Sequence, residues 1–161
     1  MLTFKDLYED YAAEVYRFSL WLVGDSFEAE DITSETFVRA WVRIHSIRTE
    51  TLKAYLFTIA RNIYLEQHRK GKRQVVLNDI YPDPAPLPDK VVESQLDILR
   101  VQRFLQTLPE IERAAFVLRV EHQLPCAEIA RVLGLSLAAA KVKIHRVRKK
   151  LLASFVEQEV E

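Results

Sequence analysis

Through most of the chain the apolar residues return at steps of three and four, the spacing that keeps them on one side of an α-helix, and no stretch reads as a strand. The first run sets Leu7, Tyr11, Val15, Phe18 and Leu22 on one face, with Thr3 and Asp6 spaced as a capping box before it and Gly24 to end it. Asp25 and Ser26 open a second run, whose inner side is Ala29, Ile32, Thr36, Phe37, Ala40 and Ile44. Residues 44–51, IHSIRTET, read as a polar loop in which Thr49 or Thr51 can cap a third helix with the stripe Leu52, Leu56, Ile59 and Ile63. Between Gln74 and Glu93 the period is lost. Pro82, Pro84, Pro86 and Pro88 stand on alternate residues among Asp79, Asp83 and Asp89, which forbids a helix and favours a stiff, extended tether.

Periodicity resumes with Leu96, Leu99, Arg103 and Leu105 towards Leu108, and Pro109 starts another helix carrying Ile111, Ala114, Ala115 and Leu118. The stretch from Leu124 to Leu151 then divides in two. A short segment with Cys126, Ile129, Ala130 and Leu133 meets a turn at Gly134-Leu135-Ser136. A longer segment follows, with Leu137, Ala140, Ile144, Val147 and Leu151 as its inner stripe. That pattern is helix, tight turn, helix, with Gly134 free to stop the first and Ser136 able to cap the second. The expectation is an all-α chain of two small helical domains, residues 1–73 and 94–161, joined by a Pro-rich linker over 74–93. The first holds three or four helices. The second holds four, including a helix-turn-helix.

Composition changes this picture little, but charge changes it more. A hydrophobic content of 49% over 161 residues suffices for two folded cores. The formal net charge is zero, which at first argues against a nucleic-acid partner, yet the neutrality is a sum of unlike parts. Arg61 to Arg73 holds five bases and one acid, and Leu137 to Lys150 holds six bases and no acid. The single cysteine, Cys126, excludes an internal disulfide framework and a cysteine zinc site, and its place in the pattern is that of a core residue. With no apolar run long enough to cross a bilayer and no secretory signal, a cytoplasmic setting without membrane insertion is expected. The four histidines stand in loops or beside bases, and three glycines form no phosphate-cradling loop. No catalytic constellation, cofactor or metal site is therefore expected; Asp31 and Glu35, four apart, lack a histidine or a further acid to complete a shell.

Three surfaces carry candidate chemistry. Opposite the inner stripe of the last helix lie Ala138, Ala139, Val142, His145, Arg146 and Lys149, flanked by Lys141, Lys143, Arg148 and Lys150. This face is small at its start and basic further on, which suits a major groove and its phosphates. On the second helix Glu28, Asp31, Glu35 and Arg39 share a face, either a solvated surface with one internal Glu35–Arg39 pair or a docking strip for a basic helix. On the third, Tyr55, Thr58, Arg61, Asn62, Arg69 and Lys70 lie off the core stripe. Rings, amides and cations together suit single-stranded nucleic acid, although tyrosines also edge ordinary cores.

Four ordered blocks resemble the bacterial sigma factors of the extracytoplasmic-function (ECF) group: EAEDITSETFVRAW (Glu28 to Trp41), AYLFTIARN (Ala54 to Asn62), LPEIERAAFVL (Leu108 to Leu118) and EIARVLGLSLAAAKVKIHRVRKKL (Glu128 to Leu151). The resemblance implies a factor that catalyses nothing itself, binds core RNA polymerase and directs promoter-specific initiation under the control of an anti-sigma partner. It implies that Glu28, Asp31, Glu35 and Arg39 dock on the clamp of the polymerase's largest subunit. It also implies that the loop 44–51 and the helix bearing Tyr55, Thr58, Arg61, Asn62, Arg69 and Lys70 hold the melted strand at the minus-ten element. Ser136, Ala138, Ala139, Lys141, Val142, Lys143, His145, Arg146 and Lys149 then read duplex at minus thirty-five, in a domain that also touches the flap of the second-largest subunit. Departures from the family pattern are Tyr55 for tryptophan, Glu66 for aspartate, Ser34 for glutamine, Ala138-Ala139-Ala140 for Gly-Thr-Val and Val142 for serine. The alternative is a stand-alone dimeric helix-turn-helix repressor or activator.

Overall fold

The computed structural model describes residues 2–46, 52–70 and 95–160. Within them lie seven α-helices and one 3-10 turn, with no strand among the described residues. The loop residues 47–51, the linker at 74–93, and Lys72 and Arg73 lie outside the described residues, as do the side chains of Lys70 and Leu96. The chain divides into two compact units, Met1–Ala85 and Pro86–Glu161.

Helices α1 (Phe4–Val23), α2 (Ser26–Val42) and α3 (Leu52–Lys70) each pack against the other two in the first unit. The predicted capping box is present: Thr3 Oγ1 accepts from the Asp6 amide at 3.1 Å while an Asp6 carboxylate oxygen accepts from the Thr3 amide at 3.2 Å. Such a cap stabilises a helix end by about 1 kcal/mol. Gly24 ends α1 with φ 74°, and Asp25 caps α2 by accepting from the Phe27 amide at 3.1 Å. The inner stripes follow the period: Leu7, Val15, Phe18 and Leu22 from α1, all six expected residues of the second run, and Leu52, Leu56, Ile59 and Ile63 from α3 are buried. Tyr11 is half-buried. Phe18 and Phe57 meet at the centre with ring centroids 4.9 Å apart. Each of these buried rings contributes on the order of 1.5–3 kcal/mol through the area it removes from water.

The second unit packs α5 (Glu110–Val120), α6 (Cys126–Leu133) and α7 (Leu137–Val160) against one another, with α4 (Gln95–Gln106) on α5. Here the predicted stripes need correction at several positions, and Ile111 on α5 is half-buried. On α4 the buried side is Ile98, Val101, Gln102 and Leu105, whereas Leu99 is half-buried and Arg103 exposed. Two neighbouring faces of α4 both carry apolar residues at steps of three and four, and only the seat on α5 selects between them. Leu137 is 45% exposed and Cys126 is half-buried. Both are first residues of their helices, and helical side chains lean towards the N-terminus, so each projects past the helix end instead of over the core. At the seam between α4 and α5, Arg113 is buried and its Nη1 donates to the carbonyls of Leu105 and Leu108, both at 3.3 Å. This places a cation where the last carbonyls of α4 concentrate negative charge.

Candidate nucleic-acid interface

The turn between α6 and α7 is built as its residues require. Gly134 takes φ 67°, and a Cβ added there meets nothing within 4 Å, so backbone conformation alone selects glycine. Ser136 Oγ accepts from the Ala139 amide at 3.1 Å and caps α7. Ala140, Ile144, Val147 and Leu151 turn inward, which fixes what faces out: Ser136, Ala138, Lys141, Val142, His145, Arg146 and Lys149 are exposed, with Ala139 and Lys143 half-buried. The helix start is therefore low in relief and carries the positive end of its dipole, and the following turns carry fixed cations. Val142, 46% exposed, puts an isopropyl group among them. The bases are not equivalent. Lys150 reaches back to Glu112 on α5, Nζ to Oε1 at 3.2 Å, across 38 residues of sequence.

In the first unit, α2 and α3 form two open grooves. One, of about 450 Å³, is lined by Val38, Arg39, Val42, Arg43, Tyr55, Thr58, Ile59, Asn62 and Glu66. It brings together Tyr55, Thr58 and Asn62 from the expected strand-reading set. Arg61 does not line it: one residue before Asn62, it sits about 100° away round the helix. Arg69 is exposed near the C-terminal end of α3. Sequence reasoning missed Val38, Val42 and Arg43 in this wall. The available signal was two valines on a helix face that the core period leaves outside; they are 56% and 77% exposed.

The second groove runs beside the first and is lined by Asp31, Ser34, Glu35, Val38, Arg39, Ile63, Glu66 and Gln67. Asp31 and Glu35 are exposed along it. Arg39 is held between two carboxylates: Nε donates to Glu35 Oε1 at 3.0 Å, and Nη1 and Nη2 donate to the two oxygens of Glu66 at 3.3 and 3.0 Å. These bonds, Glu66's before Glu35's, raise the guanidinium pKa further above its ordinary value. Glu28 is set apart from the other acids. Its side chain is 11% exposed, and Oε1 lies 3.4 Å from Nε2 of His68 on α3, whose ring centroid is 4.0 Å from that of Tyr64. Among the described residues no helix is long and apolar enough to cross a membrane.

Comparison with known proteins follows the same division. The sigma-70 region 2 family matches residues 7–74, and the sigma-70 region 4 family matches residues 98–151. The chain is 31% identical over 159 residues to the ECF RNA polymerase sigma factor SigM of Bacillus subtilis, covering 96% of each protein. It is likewise 31% identical to the ECF RNA polymerase sigma factor SigL of Mycobacterium tuberculosis, over 88% of this chain and 82% of that one. Among solved structures it resembles the sigma factor RpoE from Bartonella quintana, crystallised with the anti-sigma factor NepR, with a TM-score of 0.74, 26% identity, and coverage of 92% and 93%.

Proposed function

The chain belongs to the ECF RNA polymerase sigma factors, and from that membership we propose how its two helical units divide promoter recognition between them. The first unit docks on the clamp of the largest polymerase subunit through the exposed acids of α2, Asp31 and Glu35, with Glu28 and Arg39 supporting them from the same helix. Beside that strip, the α2–α3 groove takes unpaired bases of the minus-ten element. Tyr55 offers a ring to stack on, Thr58 and Asn62 offer polar groups, and Arg61, Arg69 and Lys70 follow the backbone. The second unit lays the exposed face of α7 in the major groove at minus thirty-five. Ser136, Lys141, Lys143, Arg146 and Lys149 meet phosphates or base edges, while Ala139 and Val142 bring apolar surface to thymine methyls, with Ala138 and His145 on the same face.

The observation that carries this reading is the outer face of α7, where exposed lysines and an arginine follow a capped, low-relief helix start. The factor works by binding, in the cytoplasm, and catalyses nothing itself. Its second unit also meets the flap of the second-largest subunit, and an anti-sigma protein holds the chain off the polymerase until released. The likeness to RpoE, solved with its anti-sigma factor, supports that last point. Run-off transcription with purified chain and core polymerase on a genomic promoter library tests the whole. Initiation from a discrete promoter set is expected, and charge reversal at Arg146 and Lys149 removes it while core binding persists. A chain that binds operator duplex tightly as a dimer and ignores core polymerase overturns the reading.

A further inference from the structure

Arg39 lines both grooves of the first unit, and so does Glu66. Arg39 comes from the docking helix α2, Glu66 from the strand-reading helix α3, and they stand 27 residues apart in sequence. All three nitrogens of the guanidinium are engaged: two on Glu66 and one on Glu35, at 3.0 to 3.3 Å. A two-pronged arginine–carboxylate bond fixes direction as well as distance, because both groups are planar and both hydrogen bonds must be kept together. The third bond then anchors Glu35 by Oε1. Without it Glu35 is an exposed side chain on an outer helix face, free to sample several rotamers, and ordering it costs entropy when a partner arrives.

Resting on the docking role proposed above for α2, we propose that Glu66 is a positioning residue for polymerase binding. It acts through Arg39 to preset Glu35, and Arg39 is an internal pin that makes no contact of its own with polymerase or DNA. Charge supports this assignment. Asp31, Glu35 and Glu66 outnumber Arg39 along the second groove, so the strip still attracts a cationic helix although it contains an arginine. The pin ties an acid on the strand-reading helix to the docking strip, a link that no spacing in the sequence discloses.

The test is a cycle of substitutions read by the affinity of the full chain for core polymerase. Glu66→Gln keeps the size of the side chain and leaves Arg39 its charge, but ends the charged two-pronged bond. Core affinity is expected to fall about three- to fivefold, the range set by releasing one partly exposed ion pair. The same fall is expected for Arg39→Gln and for the double variant, because all three break one linkage. In a Glu35→Gln background Glu66→Gln should change nothing further, and Glu66→Asp should restore most of the affinity. The melting temperature, measured alongside, is expected to fall by the same amount in the Glu35→Gln background as in the wild type, which separates a stability effect from positioning. Two results overturn the proposal: Arg39→Gln weakening core binding while Glu66→Gln leaves it at the wild-type value, which makes Arg39 a direct contact, or Glu66→Gln costing the same affinity with and without Glu35. A wild-type chain that does not bind core polymerase at all defeats the functional reading, and is distinguished by that control.

Discussion

Lys149 and Lys150 are neighbours in sequence with the same charge, and the structure gives them opposite assignments. Lys149 stands on the outer face of α7 beside Arg146, whereas Lys150 is turned to Glu112 at 3.2 Å. Replacing each by alanine in turn should separate a phosphate-binding cation from one held in a structural pair. A cation that neutralises one phosphate adds about 0.9 to the slope of log affinity against log salt, so Lys149→Ala should flatten the curve by that amount. Over a rise from about 50 to 200 mM salt, this makes the variant's fall in affinity about 3.5-fold smaller than the wild type's. Lys150→Ala should leave the slope unchanged. Its side chain is 51% exposed and that of Glu112 13%, so the pair contributes at most about 1 kcal/mol to the second unit, seen as a small fall in melting temperature. The assay is equilibrium binding of holoenzyme to promoter duplex across a salt series. The polymerase's own bonds to phosphate are common to all variants and cancel in the difference. Equal slopes for the two variants, or a larger change for Lys150→Ala, refute the orientation of α7 proposed here.

Other substitutions test other parts. Arg113→Met leaves the Leu105 and Leu108 carbonyls at the seam of α4 and α5 without their donor, and about 1–3 kcal/mol of stability should be lost from the second unit, as measured by urea unfolding of the full chain. Gly134→Ala meets no obstruction but must hold a left-handed backbone, at a cost of about 1–2 kcal/mol, and Gly134→Asn should cost less; thermal unfolding of both variants checks the order. Tyr55→Ala should slow open-complex formation by the equivalent of about 1–3 kcal/mol of base stacking while core affinity stays unchanged; a fall in core affinity instead would assign Tyr55 to docking. Val142→Ser should reduce the penalty for replacing thymine by uracil in the minus-thirty-five duplex, and an equal penalty in both proteins removes the proposed methyl contact.

Much of this protein is legible from periodicity and caps. Spacing names most of the inner residues of α1, α2, α3 and α7 because the principal apolar stripe of each is the one that is buried, with Tyr11 and Leu137 the exceptions. Thr3, Asp25, Gly24, Ser136 and Gly134 act where their spacing puts them, since a cap depends on residues two to four apart and on nothing distant. The outer face of α7 is legible for the same reason: burying Ala140, Ile144, Val147 and Leu151 leaves the opposite side no choice.

What the chain order could not disclose is whatever depends on a second helix. Which of two apolar faces α4 buries was decided by its seat on α5. That Val38, Val42 and Arg43 meet Tyr55, Thr58 and Asn62 in one groove was decided by how α2 lies along α3. Lys150 and Arg39 stand as surface charges in the sequence, and the structure pairs them with carboxylates on other helices, Glu112, 38 residues away, and Glu66, 27 away. Local hydrogen bonding and the helical period act over a few residues and are written in any short stretch. A partner for a charge is chosen by packing, and packing brings distant residues together only once the helices have assembled.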